Sequence, residues 1–190
     1  MSHGHQGPTS AGYDVEVEAE RSAKDAYFRT SPQSPLDADA RASFHGLAYF
    51  PLDASYRIAR RPLLPYIGDG PIAFGMPTSD GRTRNAIRAG SFAFEVAGAR
   101  HVLTAYRFPG AAHGELFVPF LDATSGHETY GAGRYLDLEA SRDGDYVLDF
   151  NLAYHPYCAY SPNFSCPLAP DENRLTARIE AGERLGSPAD

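Results

Sequence analysis

Tryptophan is absent from this chain, lysine occurs once, and cysteine and methionine occur twice each. Each scarcity removes a class of function. With Lys24 alone, Schiff-base chemistry has a single candidate, and arginine is the working cation. Cys158 and Cys166 are too few for an iron–sulfur set and stand too far apart for a zinc knuckle. No two of His45, His101, His113, His127 and His155 have H-x-x-x-H or H-x-H spacing within an expected element. A Cys–Cys–His set using His155 is the one metal arrangement left open; otherwise neither a metal nor a cofactor is expected.

Clustered positive charge is missing as well. The net charge is −7, and the nearest thing to a basic run is Arg57, Arg60 and Arg61, followed by Arg82, Arg84 and Arg88. Nucleic acid and anionic membrane surfaces both need dense Lys and Arg, so neither is an expected partner. No apolar run reaches the ~18–20 residues of a membrane span. The N-terminus is polar and lacks the hydrophobic region of a secretory signal. A cytoplasmic location is the expectation.

What is present suits one domain. The chain has 190 residues, 43% of them hydrophobic, enough for a real core. Residues 1–13, rich in Gly, Ser and His, read as a disordered tail, and residues 14–190 as a single β-rich domain. "VEVEAERSAKDAYFRTS" (Val15 to Ser31) reads as a helix, because Glu, Ala, Arg and Lys favour it and "SPQSP" stops it. Beyond Pro35 the period changes to two. Phe92, Phe94 and Val96 alternate with Ser91, Ala93 and Glu95, and Leu103 and Ala105 with Thr104 and Tyr106. Turn signals at Ser79-Asp80-Gly81, Ala89-Gly90 and Ala97-Gly98 separate short strands. The series runs through "GELFVPFLD", "TYGAGRYLDLE" and "YVLDFN" to "NRLTARIEAGE". With about nine or ten strands and no βαβ alternation, the expected class is mainly β. It is an antiparallel β-barrel or sandwich with one N-terminal helix and a long C-terminal loop of aromatics and prolines.

"YFPLDASYRIAR" (Tyr49–Arg60), "LFVPFLDATSGHETYGAGRYLDL" (Leu116–Leu138) and "DFNLAYHPYCAYSPNFSCPLAPDENRL" (Asp149–Leu175) resemble the family catalogued as domain of unknown function 1684. The resemblance runs from about Asp25 to Glu183. It implies a single domain of this length found in bacteria and archaea, and it implies no chemistry.

The residues themselves suggest a site. In "YVLDFN", Leu148 and Phe150 take one face, and Asp149 and Asn151 share the other. Arg134 lies on the preceding strand, joined by the turn "SRDGD", so an Arg134–Asp149 pair is expected, either structural or lining a site. Gly131 and Gly133 mark a tight bend, with room for a ligand as the other reading. "DATSGHETY" reads as turn chemistry, with His127 a weak acid–base candidate. Cys158 and Cys166 have three readings: a disulfide, buried free thiols, or one reactive thiol near Arg174 or His155.

After Asp149 the chain runs to Asn173 without regular structure. Pro156, Pro162, Pro167 and Pro170 stiffen it, and Tyr154, Tyr157, Tyr160 and Phe164 give it apolar area. A loop so aromatic has to cover something, and one mouth of the β-structure is the expectation. The first functional reading is a pocket for a small, anionic molecule beneath it. Arg134 would hold the anion, and Asp149 would fix Arg134 or act as general base. Tyr130, Asn151, Tyr154, Tyr157 and Asn173 would line the pocket, with Cys158 at hand. The second reading is non-enzymatic: the loop is a clasp, and the protein works by association as a homo-oligomer.

Overall fold

The computed structural model describes residues 10–96 and 98–186. The expected tail through residue 9, with His3 and His5, and the turn residue at position 97 lie outside the described residues. The chain divides into two compact units, Met1–Leu47 and Ala48–Asp190.

The first unit is helical. Helix α1 (Ser10–Thr30) includes Ser10–Tyr13, which the sequence reading assigned to the tail, and ends just before the first Ser-Pro. The short α2 (Ala38–Ala42) is capped by Asp37, whose Oδ1 accepts the Ala40 amide at 2.8 Å. Phe28 stacks on Phe44 with centroids 5.9 Å apart. Asp25 accepts the Leu47 amide at 2.9 Å.

The second unit is antiparallel β. A five-stranded meander runs β3 (Ala73–Pro77), β4 (Thr83–Val96), β5 (Ala99–Arg107), β6 (Leu116–Phe120) and β7 (Arg134–Leu138), each pairing with the next. Two ribbons stand outside it: β1 (Ala48–Tyr49) with β9 (Glu183–Arg184), and β2 (Arg57–Arg61) with β8 (Tyr146–Asp149). The molecule is therefore mainly β with an N-terminal helix, as composition and periodicity indicated. It does not close into a barrel. Isolated bridges at Leu64↔Ser91 and Tyr135↔Tyr154 tie neighbouring chain to the meander without extending its ladders. No helix among the described residues is long and apolar enough to cross a membrane.

Three strand expectations change. Ala89-Gly90 is no turn: β4 runs through it as one strand of 14 residues with a bulge between Arg88 and Gly90. A Cβ on Gly90 would collide with the Leu64 carbonyl, so glycine is what lets that backbone approach. "NRLTARIEAGE" is mostly irregular, and only Glu183 belongs to a strand. β8 pairs with β2 rather than with β7, although the "SRDGD" turn joins it directly to β7.

The sheet has two unlike faces. On the inner face Phe92, Phe94, Leu103, Val118 and Leu136 pack with Ile58, Leu148 and Phe150 of the β2–β8 ribbon and its continuation. This is the period-two pattern of the sequence realised as burial, and it contains most of the apolar core. On the outer face Met76, Ala86 and Tyr106 form a second, smaller cluster with Phe74, Phe108 and Phe117.

Candidate functional site

Residues 149–173 form a strap across the outer face instead of a lid over a mouth. Tyr154 exchanges backbone hydrogen bonds with Tyr135 of β7 at 2.9 and 3.1 Å. Further on, Leu168 donates to the Pro77 carbonyl and Ser79 to the Cys166 carbonyl, both at 2.8 Å, which fastens the strap beside β3. The Tyr135 hydroxyl reaches the Pro167 carbonyl between these anchors. Short 3-10 turns at Phe150–Leu152, Tyr157–Ala159 and Asp171–Asn173 give the strap local structure.

The expected site residues do not converge. Arg134 is 0% exposed, and it faces the inner side. Its NH1 donates to the carbonyls of Ala181 and Glu183, and its NH2 to Ile179 O at 2.7 Å and Asp122 Oδ1 at 3.3 Å. Phe120 packs below the guanidinium at 5.3 Å. Burial pushes the Arg134 pKa down against the pull of Asp122. Asp122 in turn accepts from Ile179 N at 2.7 Å and from the Thr124 hydroxyl. This charge pair pins the irregular 179–183 segment and has no donor left to offer a ligand through NH1 or NH2.

The Arg134–Asp149 pair is thus replaced. Asp149 lies 3.4 Å from Arg57 Nε, its partner across the β2–β8 ladder, and caps the next 3-10 turn through the Asn151 amide at 3.1 Å. Asn151 exchanges hydrogen bonds with the backbone of Asp53, at 2.9 and 3.1 Å. Asn173 is 0% exposed, and its amide group is a wedge. The Tyr106↔Phe117 register places Thr104 opposite Pro119, and proline has no amide proton to continue the ladder. Asn173 fills the gap: Nδ2 donates to Thr104 O at 2.8 Å and Pro119 O at 2.7 Å, while Oδ1 accepts Thr104 N at 2.7 Å.

Cys158 and Cys166 are both free, and the Cys158 amide donates to Cys166 Sγ at 3.3 Å. Burial pushes the Cys166 thiol up to about 11, which opposes a nucleophilic role. Burial and a Cys158 hydrogen bond raise the Tyr130 pKa. The Tyr130 amide donates to His155 Nε2 at 3.2 Å, occupying the nitrogen that a general base would use. His155 N and the Tyr160 hydroxyl both donate to the buried Glu183 Oε2, at 2.7 and 2.9 Å. Tyr157 packs edge-on against Phe164. Among the described residues no three His, Cys, Asp or Glu side chains gather as a metal-binding group, so the Cys–Cys–His arrangement is not assembled. Gly133 is the tight bend: its φ is +96°, and a Cβ there would collide with the Phe120 carbonyl.

A cleft of about 500 Å³ does open on the outer face, but of the expected residues only Tyr154 lines it. Its floor is Tyr106 of β5, Phe108 just beyond the end of β5, Phe117 of β6 and Tyr135 of β7, and Pro167 joins Tyr154 in the strap-side wall. Phe108 and Phe117 lie 5.3 Å apart, Phe117 and Tyr135 4.7 Å, and Tyr135 and Tyr154 5.7 Å. The Tyr154 hydroxyl donates to Asp137 Oδ2 at 2.5 Å, and burial raises its pKa. Beside the floor, Glu172 receives Arg88 bidentately at 2.7 and 3.1 Å and the Tyr106 hydroxyl at 2.7 Å. Burial would raise the Glu172 pKa, but these donors outweigh it and leave it below the usual carboxylate range.

A family model described as "Protein of unknown function (DUF1684)" matches residues 42–184. The chain belongs to this family. Among solved structures, the solution NMR structure of an uncharacterized protein from Haloarcula marismortui, gene locus rrnAC0354, is 39% identical. The match covers 93% of this chain and 96% of that one, with a TM-score of 0.69. Nothing among curated proteins matches.

The chain thus carries a cleft that motif reading missed. A signal for it existed in "RYLDL". Strand alternation puts Tyr135 and Asp137 on the face opposite Arg134, Leu136 and Leu138, so the aromatic-acid face was readable from the same five residues. What the sequence did not show is that Tyr106 and Phe117 come beside it.

Proposed function

We propose that the protein binds a small molecule in the outer-face cleft, with the strap as one wall. The observation that carries this is the cleft itself: about 500 Å³ over a continuous run of aromatic rings. That volume lies in the usual range for small-molecule sites, which are apolar with a few polar groups at the edge. The anion-holding role expected of Arg134 has no place in this reading, because its NH1 and NH2 are committed to carbonyls and Asp122. A cytoplasmic setting accords with free Cys158 and Cys166, since thiols stay reduced there.

The test is a protein-observed NMR screen of the full chain with a mixed fragment library. Amide shifts are expected at Phe117, Tyr135 and Tyr154, and they should vanish in Ala111→Trp, which fills the cleft from its rim. A library that perturbs no cleft residue sinks the proposal.

A second reading, a non-enzymatic association module with the strap as clasp, is favoured by the Asn173 wedge and the two strap anchors. A homo-oligomer is the assembly it calls for. Sedimentation showing a concentration-independent monomer would remove it.

A further inference from the structure

The geometry points to a small organic cation, an alkylammonium carried on or beside a flat apolar group, as the ligand class of the outer-face cleft. This rests on the small-molecule reading above and adds the sign of the charge.

Ring faces carry negative potential and attract cations, most strongly where water is excluded. Here four rings, Phe108, Phe117, Tyr135 and Tyr154, follow one another at 4.7–5.7 Å. One of them already holds a cation: the Arg84 guanidinium lies 3.9 Å over Phe108. Arg84 is exposed and has no carboxylate partner among the described residues, so a ligand cation could take its place over the ring without breaking an ion pair.

Carboxylates select the same sign. Glu115, Asp137 and Glu139 line the cleft against Arg84 and Arg107, three negative groups to two positive. Asp137 stands opposite Phe117 in the β6–β7 register, and the Tyr154 hydroxyl holds one of its oxygens at the ring edge. Glu139 is exposed and makes no hydrogen bond or ion pair among the described residues. When Arg84 swings out, the cleft keeps one guanidinium against three carboxylates. The whole chain, at −7, also draws cations toward it. An anion would meet this field with the wrong sign, with Arg84 and Arg107 as its cationic partners in the lining against three carboxylates.

The probes are benzyltrimethylammonium, benzyl alcohol and benzoate, titrated separately into the full chain and followed by amide shifts. Benzyltrimethylammonium is expected to move Phe117, Tyr135 and Tyr154 and to bind about fivefold more tightly than benzyl alcohol, with benzoate weakest. Added salt should weaken the cation alone. Glu139→Gln should weaken the cation about two- to threefold and leave benzyl alcohol unchanged, while Arg84→Gln should tighten the cation. Benzoate binding as tightly as the cation, or indifference to both substitutions, overturns the proposal. If the cation leaves the cleft unmoved while neutral fragments bind there, the charge assignment is wrong and the pocket stands. If neither the probes nor the fragment library touches it, the pocket reading falls too.

Discussion

The two faces of the β3–β7 sheet are buried by different means. The inner face is closed by apolar side chains from several strands and from the β2–β8 ribbon, with Phe92, Leu103, Val118, Leu148 and Phe150 all 0% exposed. The outer face is covered by one irregular strap, held by hydrogen bonds at a few points: Tyr154 to Tyr135, Asn173 to Thr104 and Pro119, and Glu172 to Arg88 and Tyr106. Apolar burial is spread over many contacts and is lost only when the whole core opens. A strap fastened at points can open between them. The cleft lies on this outer face, with Tyr154 and Pro167 of the strap in its wall.

The comparison breaks most sharply at Arg134, the polar exception on the inner face. Arg134→Met removes the partner of a buried carboxylate and the donors to three carbonyls. A loss of about 3–5 kcal/mol is expected, because Asp122 stays buried without its charge partner. Leu148→Ala should cost a similar ~2–5 kcal/mol through the cavity it leaves. Urea unfolding checks both. Equal stability of Arg134→Met and the parent would mean the pair is dispensable.

Asn173→Ala tests the outer face. It strips partners from the Thr104 amide and carbonyl and from the Pro119 carbonyl, in a spot where the ladder cannot substitute. The expected cost is about 2–3 kcal/mol, smaller than the sum of three lost bonds because the loosened strap admits water. Hydrogen exchange should then speed up at Thr104 and in residues 154–173, while the amides that bond β4 to β5 stay protected. Uniform acceleration across both faces would erase the distinction.

How far the sequence disclosed this arrangement differs between the faces for the same reason. The alternation of Ser91 to Val96 names the inner face directly, since a strand that buries one side must alternate. The strap announced itself through Pro156, Pro162, Pro167 and its tyrosines, which marked a segment that had to lie on something. Its partners carried no local mark. Asp149 was matched to Arg134 because a short turn joins their strands, yet β8 pairs with β2, some ninety positions upstream in the register Arg57↔Asp149. Consecutive strands neighbour one another only about two-thirds of the time, so the turn alone could not decide it. Asn173 reads in sequence as a polar residue in a loop. Its role depends on Pro119 breaking the ladder opposite Thr104, a coincidence of three distant segments.

Alkaline pH separates the faces more gently. Burial raises Cys166 to about 11 from an ordinary value near 9, and burial also lifts Tyr106, Tyr135 and Tyr154 above the usual tyrosine range. All four belong to the strap or the outer face. In each case the folded form keeps its proton where the unfolded chain would release it. Stability is therefore full below about pH 9 and declines as pH climbs toward 11 and beyond. Melting temperatures at pH 8, 9.5 and 10.5 should fall in that order. The slope should shrink in Cys166→Ala, and a flat profile would contradict the burial of these groups.

The smallest effect is expected at the cysteines. Cys158 and Cys166 sit at the two ends of the strap's central turn, joined by an amide-to-sulfur hydrogen bond instead of a covalent one. Cys166 is buried, whereas Cys158 is half-buried. Cys158→Ser, which keeps a hydrogen-bonding group of similar size beside Tyr130, should thus change stability by less than about 1 kcal/mol. Under denaturing, non-reducing conditions a thiol reagent should count two groups per chain. A count of zero would mean a disulfide closes this part of the strap. The outer face would then have a covalent fastening, and the contrast with the inner face, apolar closure against point-wise hydrogen bonding, would weaken between Cys158 and Cys166.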